Sequence, residues 1–197
     1  NQNAPRLSGK RRAGELSMPR DVEQLGQVFT PPNVVAFMLD LCANKGRTLE
    51  PSAGDGAFFN ELKSRQADCV GIEIDPRVAP DGALVRDFFD FPLSEQFDSI
   101  VGNPPYVRFQ DVTVNTKKRL KSELFDARSN LFLFFIEKCI RHLKPGGELV
   151  FIVPREFIKL TAAKKLNAWL FEQGSITHFY ETGDVRVFDA ATPNCAI

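Results

Sequence analysis

Several things are scarce in this sequence, and each scarcity excludes a class of function. Its four cysteines stand apart, none in a Cys-x-x-Cys pair, which argues against a zinc site and a disulfide framework and makes a reducing cytoplasm the expected home. No long uncharged apolar run or signal-peptide pattern occurs, so neither a membrane span nor secretion is expected. Charge of one sign is not in excess, since 25 Lys and Arg balance 25 Asp and Glu. Any nucleic-acid contact must therefore rest on a local patch. Two are visible, Lys10-Arg11-Arg12 and Lys117-Lys118-Arg119 with Lys121, each readable as a DNA-contacting surface or as a solvated face. There are two histidines. His142 reads as the last turn of a helix, where a partly cationic ring suits the dipole, and His178 falls in a strand pattern; neither has a metal-ligating neighbour, so no metal centre is expected. One Trp and two Tyr stand against 18 Phe, most of which must fill a core.

One more absence is local. Leu49-Glu50-Pro51-Ser52-Ala53-Gly54-Asp55-Gly56-Ala57-Phe58-Phe59 reads as a strand, a Gly-x-Gly turn and a helix with Phe58, Phe59 and Leu62 at helical spacing. Dinucleotide sites need a third glycine three residues on, where this chain has Phe59. The turn therefore suits a nucleoside ligand without phosphates. The next strand, Val70-Gly71-Ile72-Glu73-Ile74-Asp75, places Glu73 where such folds hold a ribose, and its carboxylate can accept from both hydroxyls.

The most informative stretch is Asn103-Pro104-Pro105-Tyr106, straight after the apolar Ile100-Val101-Gly102. Its prolines cannot continue a helix or donate to an inner ladder, so the backbone leaves the sheet at a fixed angle. The Asn103 side-chain oxygen and the Pro104 carbonyl can both accept from one exocyclic amine, while the Tyr106 ring stacks on the flat group that carries it. The plain alternative is a strand followed by a Pro-rich turn in which Tyr106 only packs.

Along its length the chain alternates short apolar runs with helical periods, the pattern of an α/β fold with a largely parallel sheet. Its 197 residues can bury one sizeable core and leave little room for a second domain. Residues 1–23 read as a polar, basic arm, and 24–197 as the catalytic domain. Thr30-Pro31 predicts an N-cap and first turn, with Val34, Phe37, Met38 and Leu41 lining one face. Strands are expected at Thr48-Glu50, Val70-Ile74, Ala83-Val85, Ser99-Val101, Glu148-Val153 and Ile176-Tyr180, and helices at Leu131-Leu143 and Ala162-Leu170. Between Tyr106 and Asn130 the sequence is polar and irregular over most of its length; loops of that length are often functional or disordered, and this one leaves the Asn-Pro-Pro-Tyr turn directly.

Taken in order, Gly26-Gln27-Val28-Phe29-Thr30-Pro31-Pro32, Leu49 to Phe59, Gly71 to Asp75, Arg86-Asp87-Phe88-Phe89, Asn103 to Tyr106 and Leu143-Lys144-Pro145-Gly146-Gly147 make the chain resemble the gamma-class N6-adenine DNA methyltransferases of bacterial restriction-modification systems. The resemblance covers nearly everything from Gln24 onward. It implies a Rossmann-like class I S-adenosylmethionine-dependent methyltransferase fold, with a mostly parallel seven-stranded sheet and helices on both faces. It further implies S-adenosyl-L-methionine as cofactor, held by Thr30, Glu50, Ser52, Ala53, Gly54, Gly56, Glu73, Ile74, Asp87 and Phe88. Asn103, Pro104, Pro105 and Tyr106 would form the catalytic turn, with Tyr106 and Phe188 contacting an adenine flipped out of double-stranded DNA. For Phe188 core packing is the competing reading, and Phe29 either covers the methionine end of the cofactor or staples the next helix. Methyltransferases of protein glutamine or of RNA amines share Asn-Pro-Pro-Tyr but usually lack the Phe-Thr-Pro-Pro element. A non-catalytic subunit of a larger assembly is the alternative from another class. Because family members carry a separate recognition domain, a fragment of a longer protein is expected.

Overall fold

Parallel strands need crossovers long enough to hold a helix, and the computed structural model shows how this chain supplies them over residues 29–174, 176–182, 187–188 and 195–197. The expected arm at 1–23 and the motif residues Gly26 to Val28 lie outside the described residues. Strands β1 (Thr48–Glu50), β2 (Cys69–Glu73), β3 (Leu84–Val85), β4 (Phe97–Gly102) and β5 (Leu143–Phe151) form one sheet in the order β3-β2-β1-β4-β5, every pairing parallel. Strand order reverses between β1 and β4. At such a switch point the two loops diverge to opposite faces and leave a crevice at the carboxyl ends of the strands.

Helices cover both faces. On one, Leu49, Ile72 and Ile100 pack with Phe132, Phe135 and Cys139 of the helix Leu131–Arg141. On the other, Val101 and Ile152 pack with Val35, Met38 and Leu39 of α1 (Pro32–Leu41) and with Phe58 and Leu62 of α2 (Ala57–Ser64). A single-turn helix, Val114–Lys117, becomes α3, Leu131–Arg141 is α4, and Lys164–Gln173 is α5. Each wholly buried Leu, Ile or Phe among these contributes about 1.5–3 kcal/mol. Where a dinucleotide motif would carry its third glycine, the Phe59 ring instead lies on Gly71; a Cβ added there would stand 2.7 Å from Phe59 Cδ2. The small residue needed for close helix-to-strand packing has moved to the strand.

Several expectations are corrected. Among the described residues the sheet has five strands where seven are expected: after Phe151 the chain turns away, and β6 (Val153–Pro154) pairs antiparallel with β7 (Cys195–Ala196) in a separate ladder. Ile176 to Tyr180 does not form a regular strand; Tyr180 exchanges two backbone hydrogen bonds with Ile197, of 2.8 and 2.9 Å, next to a lone bridge between Glu181 and Ala196. β5 pairs in two pieces, Leu143 with Phe97 and then Glu148 to Phe151 with Ser99 to Gly102. Between them the chain bulges through Gly146 at φ 75°, so the strand starts earlier than its apolar run. α1 begins one residue late, with Pro31 as its cap and Pro32 in its first turn; Val34 N–H and Val35 N–H both donate to the Pro31 carbonyl at 3.0 Å. Its buried face is Val35, Met38 and Leu39, whereas Phe37 stays exposed, edge-on to Tyr180. His142 is wholly buried among Phe88, Phe91 and Phe97, and burial lowers its pKa from the ordinary histidine value, so the site disfavours the partly cationic ring that its place at the helix end suggests.

Candidate active site

The carboxyl ends of β1, β2, β3 and β4 each deliver a polar group to one pocket. Its lining includes Thr30, Glu50, Ser52, Ala53, Gly54, Glu73, Ile74, Asp87, Phe88, Asn103 and Pro105, eleven of the residues expected from sequence. Gly56, Pro104, Tyr106 and Phe188 are not among the residues lining it. Gly56 serves the turn itself: its φ is 89°, and a Cβ would stand 2.6 Å from Asn60 Nδ2 and 2.7 Å from Pro80 Cβ.

At the end of β1, Glu50 is 1% exposed, and its Oε2 has no hydrogen-bond partner among the described residues. Burial pushes its pKa well above 4.5, more than the Phe59 backbone amide pulls it down. Glu73 ends β2 with its carboxylate held at both oxygens: Gly54 N–H donates to Oε2 at 2.7 Å and Asp75 N–H to Oε1 at 2.9 Å. That clamp joins the Gly-x-Gly turn to the second strand. Beyond β3, Asp87 accepts from Phe89 N–H through Oδ1 at 2.9 Å, while Phe88 is 2% exposed with its ring centroid 5.0 Å from that of Phe135.

Asn103, after β4, is fixed from two sides. The Ser52 hydroxyl donates to its backbone carbonyl at 3.1 Å, and its own Nδ2 donates to the Thr30 hydroxyl at 3.3 Å. The Gly turn and the Asn-Pro-Pro-Tyr turn are therefore physically coupled, and Thr30 acts as an acceptor for Asn103 where the sequence suggested a helix cap. Tyr106 donates its hydroxyl to the Ile152 carbonyl at 2.9 Å and meets Phe132 edge-on, which holds the ring rigidly between the two halves of the core. Phe188 is 2% exposed and packs with the α1 side of the core.

Sequence reasoning missed the residues that close the pocket. Asp111, Val112, Thr113 and Thr116 reach it from the irregular segment after Tyr106, and Leu131 and Phe135, at i and i+4, reach it from α4. Asn130 caps α4 through Phe132 N–H at 3.3 Å, and Leu131 N–H donates to the Val107 carbonyl at 3.0 Å, so both ends of the segment are anchored. Of the basic cluster, Lys117 donates to the Gln110 carbonyl at 3.0 Å and Arg119 pairs with Asp90, which leaves Lys118 and Lys121 as its exposed cations without an ion pair among the described residues.

Among the described residues five carboxyl groups line the pocket, those of Glu50, Asp55, Glu73, Asp87 and Asp111, against one guanidinium, that of Arg86. Such a set repels phosphate and attracts a cationic ligand rich in donors.

A parallel sheet in this order, with the pocket at its switch point, has the class I S-adenosylmethionine-dependent methyltransferase fold. A structure of that class from Listeria monocytogenes aligns with a TM-score of 0.66 at 20% identity, over 85% of this chain and 58% of its own. Residues 60–188 match the model of the Eco57I restriction-modification methylase family, and the chain belongs to that family. It is 34% identical to the type II methyltransferase M.HincII of Haemophilus influenzae over 182 residues, 88% of this chain and 36% of the relative. To M.TthHB8I of Thermus thermophilus it is 36% identical over 179 residues, 82% of this chain and 42% of the relative. The chain thus spans less than half the length of either.

Proposed function

We propose that this chain is a catalytic domain that transfers a methyl group from S-adenosyl-L-methionine to N6 of an adenine extruded from double-stranded DNA, as the modification activity of a restriction-modification system. One observation carries the reading: a pocket rich in carboxylates is joined, through Ser52 and Thr30, to an Asn103 held at two of its polar groups. Type II methyltransferases among its relatives support DNA as the substrate.

The pocket suits this cofactor. Glu50 Oε2, buried with no hydrogen-bond partner among the described residues, matches the ligand's ammonium; Glu73 matches the ribose hydroxyls and Asp87 the adenine amine, with Phe88 against the ring. Bound there, the cofactor supplies an electrophilic sulfonium methyl. The remaining work belongs to the chain's own groups. Adenine's amine is a weak nucleophile because its lone pair is delocalised into the ring. Asn103 Oδ1 and the Pro104 carbonyl accept hydrogen bonds from its two N–H groups, favour a pyramidal nitrogen whose lone pair is localised and free to attack, and stabilise positive charge as it develops on nitrogen. Asn is neutral, so its contribution is orientation and electrostatics, not proton abstraction. As the amine attacks, the S–CH3 bond breaks to leave a neutral thioether, and the strongly acidic methylated nitrogen gives up its extra proton to solvent after transfer. Extrusion costs a few kcal/mol, and a Tyr106 stack worth about 1–3 kcal/mol offsets much of it.

Cofactor binding is expected to release a proton. An ammonium docking beside Glu50 lowers a pKa that burial has raised, so between the free and bound values binding expels a proton and affinity rises with pH; outside that window it is flat. Calorimetry in two buffers of different ionisation enthalpy reads this directly. An identical heat in both buffers throughout the window would remove Glu50 from the ammonium site.

At the platform, Tyr106→Phe is expected to keep most of the transfer rate and to cost about 1 kcal/mol of stability through the Ile152 carbonyl. Tyr106→Ala should be severe. The reading as a whole is tested with labelled cofactor: label that nuclease releases and protease leaves intact supports DNA, and the opposite result would point to protein glutamine.

A further inference from the structure

Asp87 is gripped by a residue 29 positions on in the sequence. Its Oδ1 is held within its own loop by Phe89 N–H, but Oδ2 accepts from the hydroxyl of Thr116 at 2.7 Å. Thr116 is 5% exposed and lines the pocket beside Asp87. Its hydroxyl accepts in turn from the Thr113 hydroxyl at 3.0 Å. A hydroxyl has one hydrogen, so the proton of Thr116 is committed to Asp87, and the relay from Thr113 polarises that bond. The hydroxyl is not needed to build α3, because the cap is Thr113, whose Oγ1 accepts from Thr116 N–H at 3.2 Å. An ion pair of Arg119 with Asp90 fastens the same short segment to the same loop.

We propose that Thr116 is a positioning residue that sets the plane of the Asp87 carboxylate and, through it, the pocket's preference for a 6-aminopurine over a 6-oxopurine cofactor. This rests on the reading of Asp87 as acceptor for the adenine amine. With one bond on each oxygen, the carboxylate cannot rotate, and its remaining lone pairs keep one direction. Fixed in that direction, it accepts from an amino group at position 6 and opposes an oxygen there. Released from Thr116, it no longer keeps that direction, its bond to the 6-amino group weakens while a 6-oxopurine, which makes no such bond, is little affected, and the discrimination falls.

The test is calorimetric titration of the folded chain with S-adenosyl-L-homocysteine and with S-inosyl-L-homocysteine. Thr116→Val, which replaces the hydroxyl by a methyl at nearly equal volume, is expected to weaken the adenosyl ligand about tenfold and to change the inosyl ligand less than about twofold. Thr116→Ser should restore the preference, and Thr116→Ala gives the same reading if Val is not accommodated. Equal losses for both ligands, no loss, or failure of Ser to restore would overturn the proposal and leave Thr116 a packing residue. Asp87→Asn separates the two layers of argument, since it should abolish the preference whatever stands at position 116. A preference that survives in Asp87→Asn would instead overturn the assignment of Asp87 to the adenine amine.

Discussion

Asn103→Ala is expected to lower methyl transfer by about 10²- to 10³-fold while cofactor affinity changes little. The asymmetry follows from where Asn103 is tied. Its carbonyl is held by Ser52 and its Nδ2 by Thr30, so the side chain is oriented before any substrate arrives. Truncation removes an acceptor aimed at the reacting amine, yet leaves Glu50, Glu73 and Asp87 in their places at the other strand ends. Asn103→Asp keeps an acceptor and should retain measurable turnover, below wild type because the donor to Thr30 is lost. Single-turnover rates on duplex DNA, taken beside calorimetric Kd values, separate the two effects. A Kd that collapsed with the rate would place Asn103 in the cofactor site instead.

Glu73→Ala is expected to weaken S-adenosyl-L-methionine by roughly 10- to 100-fold, since hydrogen bonds to a charged acceptor are worth about 1.5–3 kcal/mol each. Part of that loss acts through the fold. Gly54 N–H and Asp75 N–H both donate to this carboxylate, so its removal frees the Gly-x-Gly turn as well as the ribose acceptors. Glu73→Gln distinguishes these contributions: it keeps one oxygen for a backbone donor, and thermal stability should recover more than affinity does. Unchanged affinity in Glu73→Ala, with the protein folded, would take Glu73 out of the ligand site.

The parts of this architecture that repeat with a period were legible in the sequence. The parallel α/β alternation, the Gly-x-Gly turn and the Asn-Pro-Pro-Tyr turn each have a local signature, and Glu50, Glu73, Asp87 and Asn103 do line one pocket. Strand ends were less so, because β5 reaches Leu143 only by bulging through Gly146, a feature of pairing and not of hydrophobic pattern. Val153 continues an apolar run and so reads as part of the preceding strand; its turn away from the sheet depends on its partner Ala196, 43 positions on. The least legible residues were Asp111 to Thr116. They carry neither helical nor strand period, and what places them is contact with Asp87 and with the anchored ends of their segment. His142 shows the converse: position suggests a partly cationic ring at a helix end, while burial among three Phe rings disfavours the charged form.

Digesting DNA that the protein has methylated and resolving its nucleosides by mass spectrometry tests the central claim most directly. An Asn103 and Pro104 pair that accepts from an exocyclic amine, beside a Tyr106 platform, predicts N6-methyladenine as the one new nucleoside, dependent on added S-adenosyl-L-methionine and lost in Asn103→Ala. Methylcytosine in its place, or methyl label recovered only in protein, would contradict it.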